Sequence, residues 1–159
     1  MNASQAQAPT QTSTQAQPGP AILVVDDSST IRRSAEIFLS QAGYSVLLAE
    51  DGFEALSRIV DHEPALVFCD ILMPRLDGYH TCSLIRDSQR FCKLPVVLLS
   101  SRDGLFDRAR GMLAGASAYL TKPFTKDSLL RTVRELLPEL RPESLPDPEF
   151  AAQLKSQPT

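Results

Sequence analysis

The chain has 159 residues, 43% hydrophobic and 22% charged, enough for one sizeable core and hardly for two. The 16 basic residues against 19 acidic leave a formal net charge of -3, with the arginines scattered rather than gathered in a stripe, which argues against nucleic acid as a partner. The 3 cysteines, Cys69, Cys82 and Cys92, lack metal-ligand spacing and read as free thiols; with no signal peptide and no apolar run long enough to span a bilayer, a cytoplasmic protein without membrane insertion is expected.

Residues 1–20 are almost wholly Asn, Ala, Ser, Gln, Thr, Pro and Gly; they cannot form a core and are expected to be disordered. A strand follows at 21–25, and Asp26-Asp27-Ser28-Ser29 supplies an acid pair and capping groups for a helix over about 28–41. Its apolar Ile31, Ala35, Phe38 and Leu39 recur at helical spacing and face inward, Arg32, Arg33 and Glu36 face away, and Gly43 is placed to stop it. Residues 44–49 give a more polar strand near the sheet edge. A helix over about 53–61 then carries Ala55, Leu56, Ile59 and Val60 inward.

The run Ala65-Leu66-Val67-Phe68-Cys69 has no alternation, the pattern of a strand buried on both faces of a parallel sheet, and it runs straight into Asp70. Met73-Pro74 and Asp77-Gly78 then let the chain turn into a helix over about 79–87 that packs Cys82, Leu84 and Ile85. A fourth strand at 95–99 ends in Ser100-Ser101. The helix after it, 103–113, is weakened by Gly104, Gly111 and Gly115, and a short strand at 117–120 runs into Thr121-Lys122-Pro123. Thr125 caps a last helix with Leu129, Leu130, Val133, Leu136 and Leu137 on its apolar face, and the Pro-rich residues 139–159 are expected to be a disordered tail.

Five strands alternating with five helices make the domain at 21–138 α/β, a doubly wound parallel sheet, although periodicity leaves the strand order open. Strand ends in such a sheet lie on one edge, so Asp26, Asp27, Asp70, Ser100 and Lys122 converge there. A lone Asp at a strand end is as often a helix cap or a turn former; the company it keeps singles out Asp70. Neither a dinucleotide fingerprint nor a Walker loop follows the first strand.

Taken together, Asp26-Asp27, Asp70 with Met73-Pro74 and Asp77-Gly78, Ser100, and Tyr119 with Lys122-Pro123-Phe124 resemble the receiver domain of bacterial two-component response regulators. Within that family, Asp77-Gly78-Tyr79 and the stretches 99–107 and 119–124 most resemble the stand-alone receivers of type IV pilus chemosensory systems, which govern twitching motility. The resemblance implies a flavodoxin-like strand order 2-1-3-4-5. It implies that Asp70 is the phosphoacceptor and that Asp26, Asp27, Asp70 and the backbone carbonyl of Leu72 hold Mg2+, with Mn2+ as a substitute. Ser100 then matches the hydroxyl that bonds the phosphoryl group, Lys122 the cation, Tyr119 the switch aromatic, and Pro123 a proline joined to the lysine by a cis peptide bond. A histidine kinase is the implied phosphodonor of a monomer that is no enzyme beyond assisting its own phosphorylation and dephosphorylation. Its output is a contact with a downstream protein, in the pilus machinery or among its regulators, made by residues 104–113, 116–120 and 125–137.

These residue types suit that chemistry on independent grounds. Clustered carboxylates repel one another without a cation, and hard oxygen ligands suit magnesium or manganese. The apolar Leu72 side chain is expected to shield an acyl phosphate from water. Two alternatives stand beside this reading. A haloacid dehalogenase-type phosphatase would need a second aspartate where Ser28 stands. A phosphorylation-independent adaptor would not need the full set of Asp26, Asp27, Asp70, Ser100 and Lys122.

Overall fold

Each strand stops where an apolar run meets a polar residue, and each following helix starts on a small or polar cap, so strands and helices alternate along the chain. The computed structural model describes residues 21–101 and 104–138; the tails expected at 1–20 and 139–159, and the expected helix start at Asp103, lie outside them. The elements are β1 (Ala21–Val25), α1 (Ser29–Gln41), β2 (Ser45–Ala49), α2 (Gly52–His62), β3 (Leu66–Asp70), α3 (Gly78–Asp87), β4 (Val96–Ser100), α4 (Leu105–Leu113), β5 (Ala118–Thr121) and α5 (Lys126–Leu136). All strand pairs are parallel and the sheet order is β2-β1-β3-β4-β5, the doubly wound flavodoxin-like arrangement.

Both faces of the sheet are covered, which explains strands without alternation. Ile22, Val24, Leu66, Phe68, Val97 and Leu99 pack with Ala35 and Leu39 of α1 and Leu129 and Val133 of α5. Leu23, Val25, Val67, Cys69, Val96 and Leu98 pack on the other side with Ala55 and Ile59 of α2 and Cys82 and Ile85 of α3. Each such large side chain contributes about 1.5–3 kcal/mol when removed from water.

Ser28, Asp51, Asp77 and Thr125 accept hydrogen bonds from the first turns of α1, α2, α3 and α5, whereas Gly104 gives α4 no side-chain cap. Gly43 has the expected left-handed backbone, φ 94°. Gly78 serves close approach: a Cβ there would press on the main chain of Asp70 and Ile71, and its N–H donates to the Ile71 carbonyl at 2.9 Å.

Several expectations need correction. Asp70 closes β3 as expected, but Ser100 and Thr121 belong inside their strands, because the ladder pairs them one residue beyond the apolar runs. Val60 and Leu84 are 52% and 47% exposed rather than inward. Each sits one position, a rotation of about 100°, from a residue on the sheet-facing stripe of its helix. Arg32 does not face away; it folds back over the start of α1 onto the end of β1.

Candidate functional site

The carboxyl ends of β1, β3, β4 and β5 bring the expected residues together. Asp26 follows β1 and is buried, Asp70 closes β3 and is buried, Ser100 closes β4 and is buried, and Lys122 follows β5. The Lys122 ammonium lies 3.0 Å from Asp26 Oδ2 and 3.0 Å from Asp70 Oδ1, while its backbone N–H donates to the Ser100 carbonyl at 2.6 Å. The Lys122–Pro123 peptide bond is cis. Asp27, the next residue after Asp26, is exposed, and one carboxylate oxygen from each of Asp26, Asp27 and Asp70 falls within 4.8 Å of the others.

Asp26 is fixed through every polar atom it has. Its N–H donates to the Ala49 carbonyl at 3.2 Å, its Oδ1 accepts from the Ser28 N–H at 2.9 Å, its Oδ2 accepts from Lys122, and its carbonyl accepts from Arg32 Nη1 at 2.6 Å. Burial pushes the Asp70 carboxyl up to about 6, against the hydrogen bond from Lys122 and with the help of Asp26 and Asp27. Burial opposes the charge on Lys122, yet its bonds to Asp70 and Asp26 raise its pKa on balance. Burial also pushes the Cys69 thiol far up, which leaves it an inert strand residue beside the site.

Leu72 sits two residues beyond Asp70 with a side chain 62% exposed, in a loop where Arg75 takes a left-handed backbone, φ 69°, and pairs with Asp51 at the cap of α2. Tyr119 lies half-buried in β5, with the Arg108 guanidinium 5.2 Å from its ring centre. Gly111 of α4 lies against it: a Cβ there would stand 3.4 Å from Tyr119 Cδ2 and 3.2 Å from Leu98 Cδ1. Around Gly111, α4 turns Leu105, Phe106, Met112 and Leu113 to the outside. Sequence reasoning missed Arg32. The usable signal is that long helical side chains point back toward the N-terminus, so a residue one turn in covers the cap and the strand end before it.

Three hard oxygen donors within reach of one another, partly balanced by one partly buried ammonium, form a cluster suited to a small divalent cation. The family profile of the response regulator receiver domain matches residues 22–134. The chain belongs to this family. Receivers are signalling modules rather than metabolic enzymes, which removes the phosphatase alternative.

Over 121 residues this receiver is 50% identical to Protein PilG of Pseudomonas aeruginosa, an alignment spanning 76% of this chain and 90% of that protein. It is 44% identical over 126 residues to the response regulator MprA of a Mycobacterium species, an alignment that takes in 79% of this chain and 54% of that longer protein. Among solved structures it is similar to the chemotaxis protein CheY4 of Vibrio cholerae, with a TM-score of 0.72, 30% identity and coverage of 75% of this chain and 99% of that one. The receiver domain of NtrX from Brucella abortus gives a TM-score of 0.69 at 34% identity, covering 74% and 98%. Among the described residues no helix is long and apolar enough to cross a membrane.

Proposed function

We propose that Asp70 accepts a phosphoryl group from a histidine kinase and that the receiver, spanning 21–138 and working in the cytoplasm, then signals through a protein contact. The observation that carries this reading is the Lys122 ammonium held 3.0 Å from both Asp26 and Asp70 above a cluster of three carboxylates. An Asp70 oxygen attacks the phosphorus of the donor phosphohistidine, the P–N bond breaks, and the imidazole leaves. With its pKa at about 6, Asp70 is mostly ionised near neutral pH and so is available as the nucleophile.

Asp26, Asp27, Asp70 and the Leu72 carbonyl are the residues that would hold Mg2+, or Mn2+ in its place. The bound ion would neutralise charge growing on the phosphoryl oxygens. Lys122 shares that charge from its fixed place between two acids, and the Ser100 hydroxyl donates to the phosphoryl oxygens at the end of the neighbouring strand. Ser100 and Tyr119 then pass the change to the face built by α4, β5 and α5, which binds the target. The 50% identity to PilG, together with the wording of 77–79, 99–107 and 119–124, supports an output in type IV pilus twitching motility, with a target in the pilus machinery or among its regulators.

The test is incubation with acetyl phosphate and Mg2+, followed by intact-mass measurement. Wild type should gain a phosphoryl group, Asp70→Asn should gain none, and Lys122→Ala should label far more slowly. Equal labelling of D70N and wild type would refute the assignment of Asp70. A wild type that takes no phosphoryl group from either acetyl phosphate or a kinase would favour the phosphorylation-independent adaptor.

A further inference from the structure

Arg32 lies in the first turn of α1 with a side chain only 14% exposed, although nothing in its helical position requires burial. Its guanidinium has two arms. Nη1 donates to the Asp26 carbonyl at 2.6 Å, and Nη2 stands 3.6 Å from Glu50 Oε1, just past the end of β2. The main chain of Glu50 is itself tied to α2, since its N–H donates to Glu54 Oε2 at 3.1 Å, while its carboxylate is 71% exposed and leaves the Asp26 carbonyl as the firmer of the two holds on Arg32. The carbonyl that Arg32 holds is half of the peptide group joining Asp26 to Asp27, and a peptide group is planar. Fixing that carbonyl therefore fixes the plane from which Asp27 departs. Asp27 is the exposed carboxylate of the cluster, and it lies outside the ladder that orders β1.

We infer that Arg32 is a positioning residue for the cation site: by clamping the Asp26–Asp27 peptide against Glu50, it sets the direction in which Asp27 presents its carboxylate to Asp26 and Asp70. This rests on the cluster being the divalent-cation site proposed above. Two roles for Arg32 predict opposite signs. As a mere neighbouring positive charge it repels a cation, so its removal would tighten metal binding. As a clamp it holds a ligand in place, so its removal loosens binding, as loss of a group that orients a metal ligand does.

The experiment titrates the metal-free full chain with Mn2+ alone and follows free Mn2+ by electron paramagnetic resonance, with circular dichroism as the folding control. Arg32→Ala should raise the Mn2+ dissociation constant about tenfold or more. Arg33→Ala removes the same charge from the neighbouring exposed position, where Arg33 pairs with Glu36, and should stay within about twofold of wild type. Arg32→Lys keeps the charge but offers one nitrogen where the two acceptors need two, so it should remain weakened; it also replaces R32A should that variant not fold. R32A binding Mn2+ as tightly as wild type or tighter, or R32K restoring wild-type affinity, overturns the clamp. Asp27→Ala separates the two levels of the argument. If D27A loses Mn2+ and R32A does not, the site stands and the role of Arg32 falls; if D27A and wild type bind alike, the site reading fails and the inference falls with it.

Discussion

Replacing Asp70 by Asn should stabilise the metal-free protein, and by an amount that depends on pH in a defined direction. Burial raises the Asp70 carboxyl from 3.8 to about 6 in the fold, so the folded state disfavours its ionised form. A group of this kind contributes stability that is fully present below its unfolded pKa and is lost as pH rises through the folded value. The full loss is about 3 kcal/mol for this rise, of which about 2.4 kcal/mol falls between about pH 4 and about pH 8, because the unfolded carboxyl is already half ionised at about pH 4. Asn is neutral throughout and resembles the protonated acid in shape, and its amide oxygen can still accept from Lys122. The advantage of D70N over wild type should therefore be about 2.4 kcal/mol larger at about pH 8 than at about pH 4. With a urea slope of about 1.5 kcal/mol per molar, that appears as a relative midpoint shift of about 1.6 M. The assay is urea unfolding with chelator present, followed by far-ultraviolet circular dichroism. Added Mg2+ should then stabilise wild type more than D70N and narrow the gap. A D70N advantage that is the same at both pH values, or a wild type that is the more stable at about pH 8 without metal, would refute the argument that burial rather than Lys122 governs this carboxylate.

Three further outcomes are expected. Asp27→Ala should abolish Mg2+-dependent labelling by acetyl phosphate while leaving helical content near wild type; labelling as fast as wild type in excess Mg2+ would remove Asp27 from the site. Leu72→Asn should shorten the lifetime of phosphorylated Asp70, since the apolar group it replaces is expected to hinder water, and equal decay rates at matched Mg2+ would end the shielding idea. Ser100→Ala should still accept phosphate yet lose most of the phosphorylation-dependent gain in partner affinity, with Tyr119→Ala behaving similarly. Reversing a 1:99 equilibrium takes about 5.5 kcal/mol, and the Ser100 hydrogen bond can supply only about 1.5–3 of it. Partner titration with and without beryllium fluoride reads the gain directly, and an unchanged affinity ratio in both variants would exclude this route.

The convergence of Asp26, Asp70, Ser100 and Lys122 was legible because parallel strands put all their carboxyl ends on one edge, so four short polar endings in the sequence become one place in space. Strand order was not legible from periodicity, since a run buried on both faces carries no sign of its neighbours. Periodicity also gives the spacing of a buried stripe but not its width, which is why Val60 and Leu84 read as inward and are half exposed. The inward turn of Arg32 was hidden for another reason: its acceptor is a main-chain carbonyl, which every residue has and no sequence pattern marks. The left-handed Arg75 and its pairing with Asp51 escaped notice likewise, because a loop that joins two elements far apart in sequence leaves no periodic trace.

The bare backbone at Gly78 gives position 78 a hold on chemistry in which it takes no part. The first residue of α3 rests directly on the main chain of Asp70 and Ile71, so any side chain there must push either the helix away or the end of β3 out of line. Displacement of β3 would carry the Asp70 carboxylate away from Lys122, whose own place is set by a different strand. A chain can therefore retain all three acids, the serine and the lysine and still be silent. Whether a receiver of this kind is active should be judged by position 78 as well as by the charged residues that advertise the site.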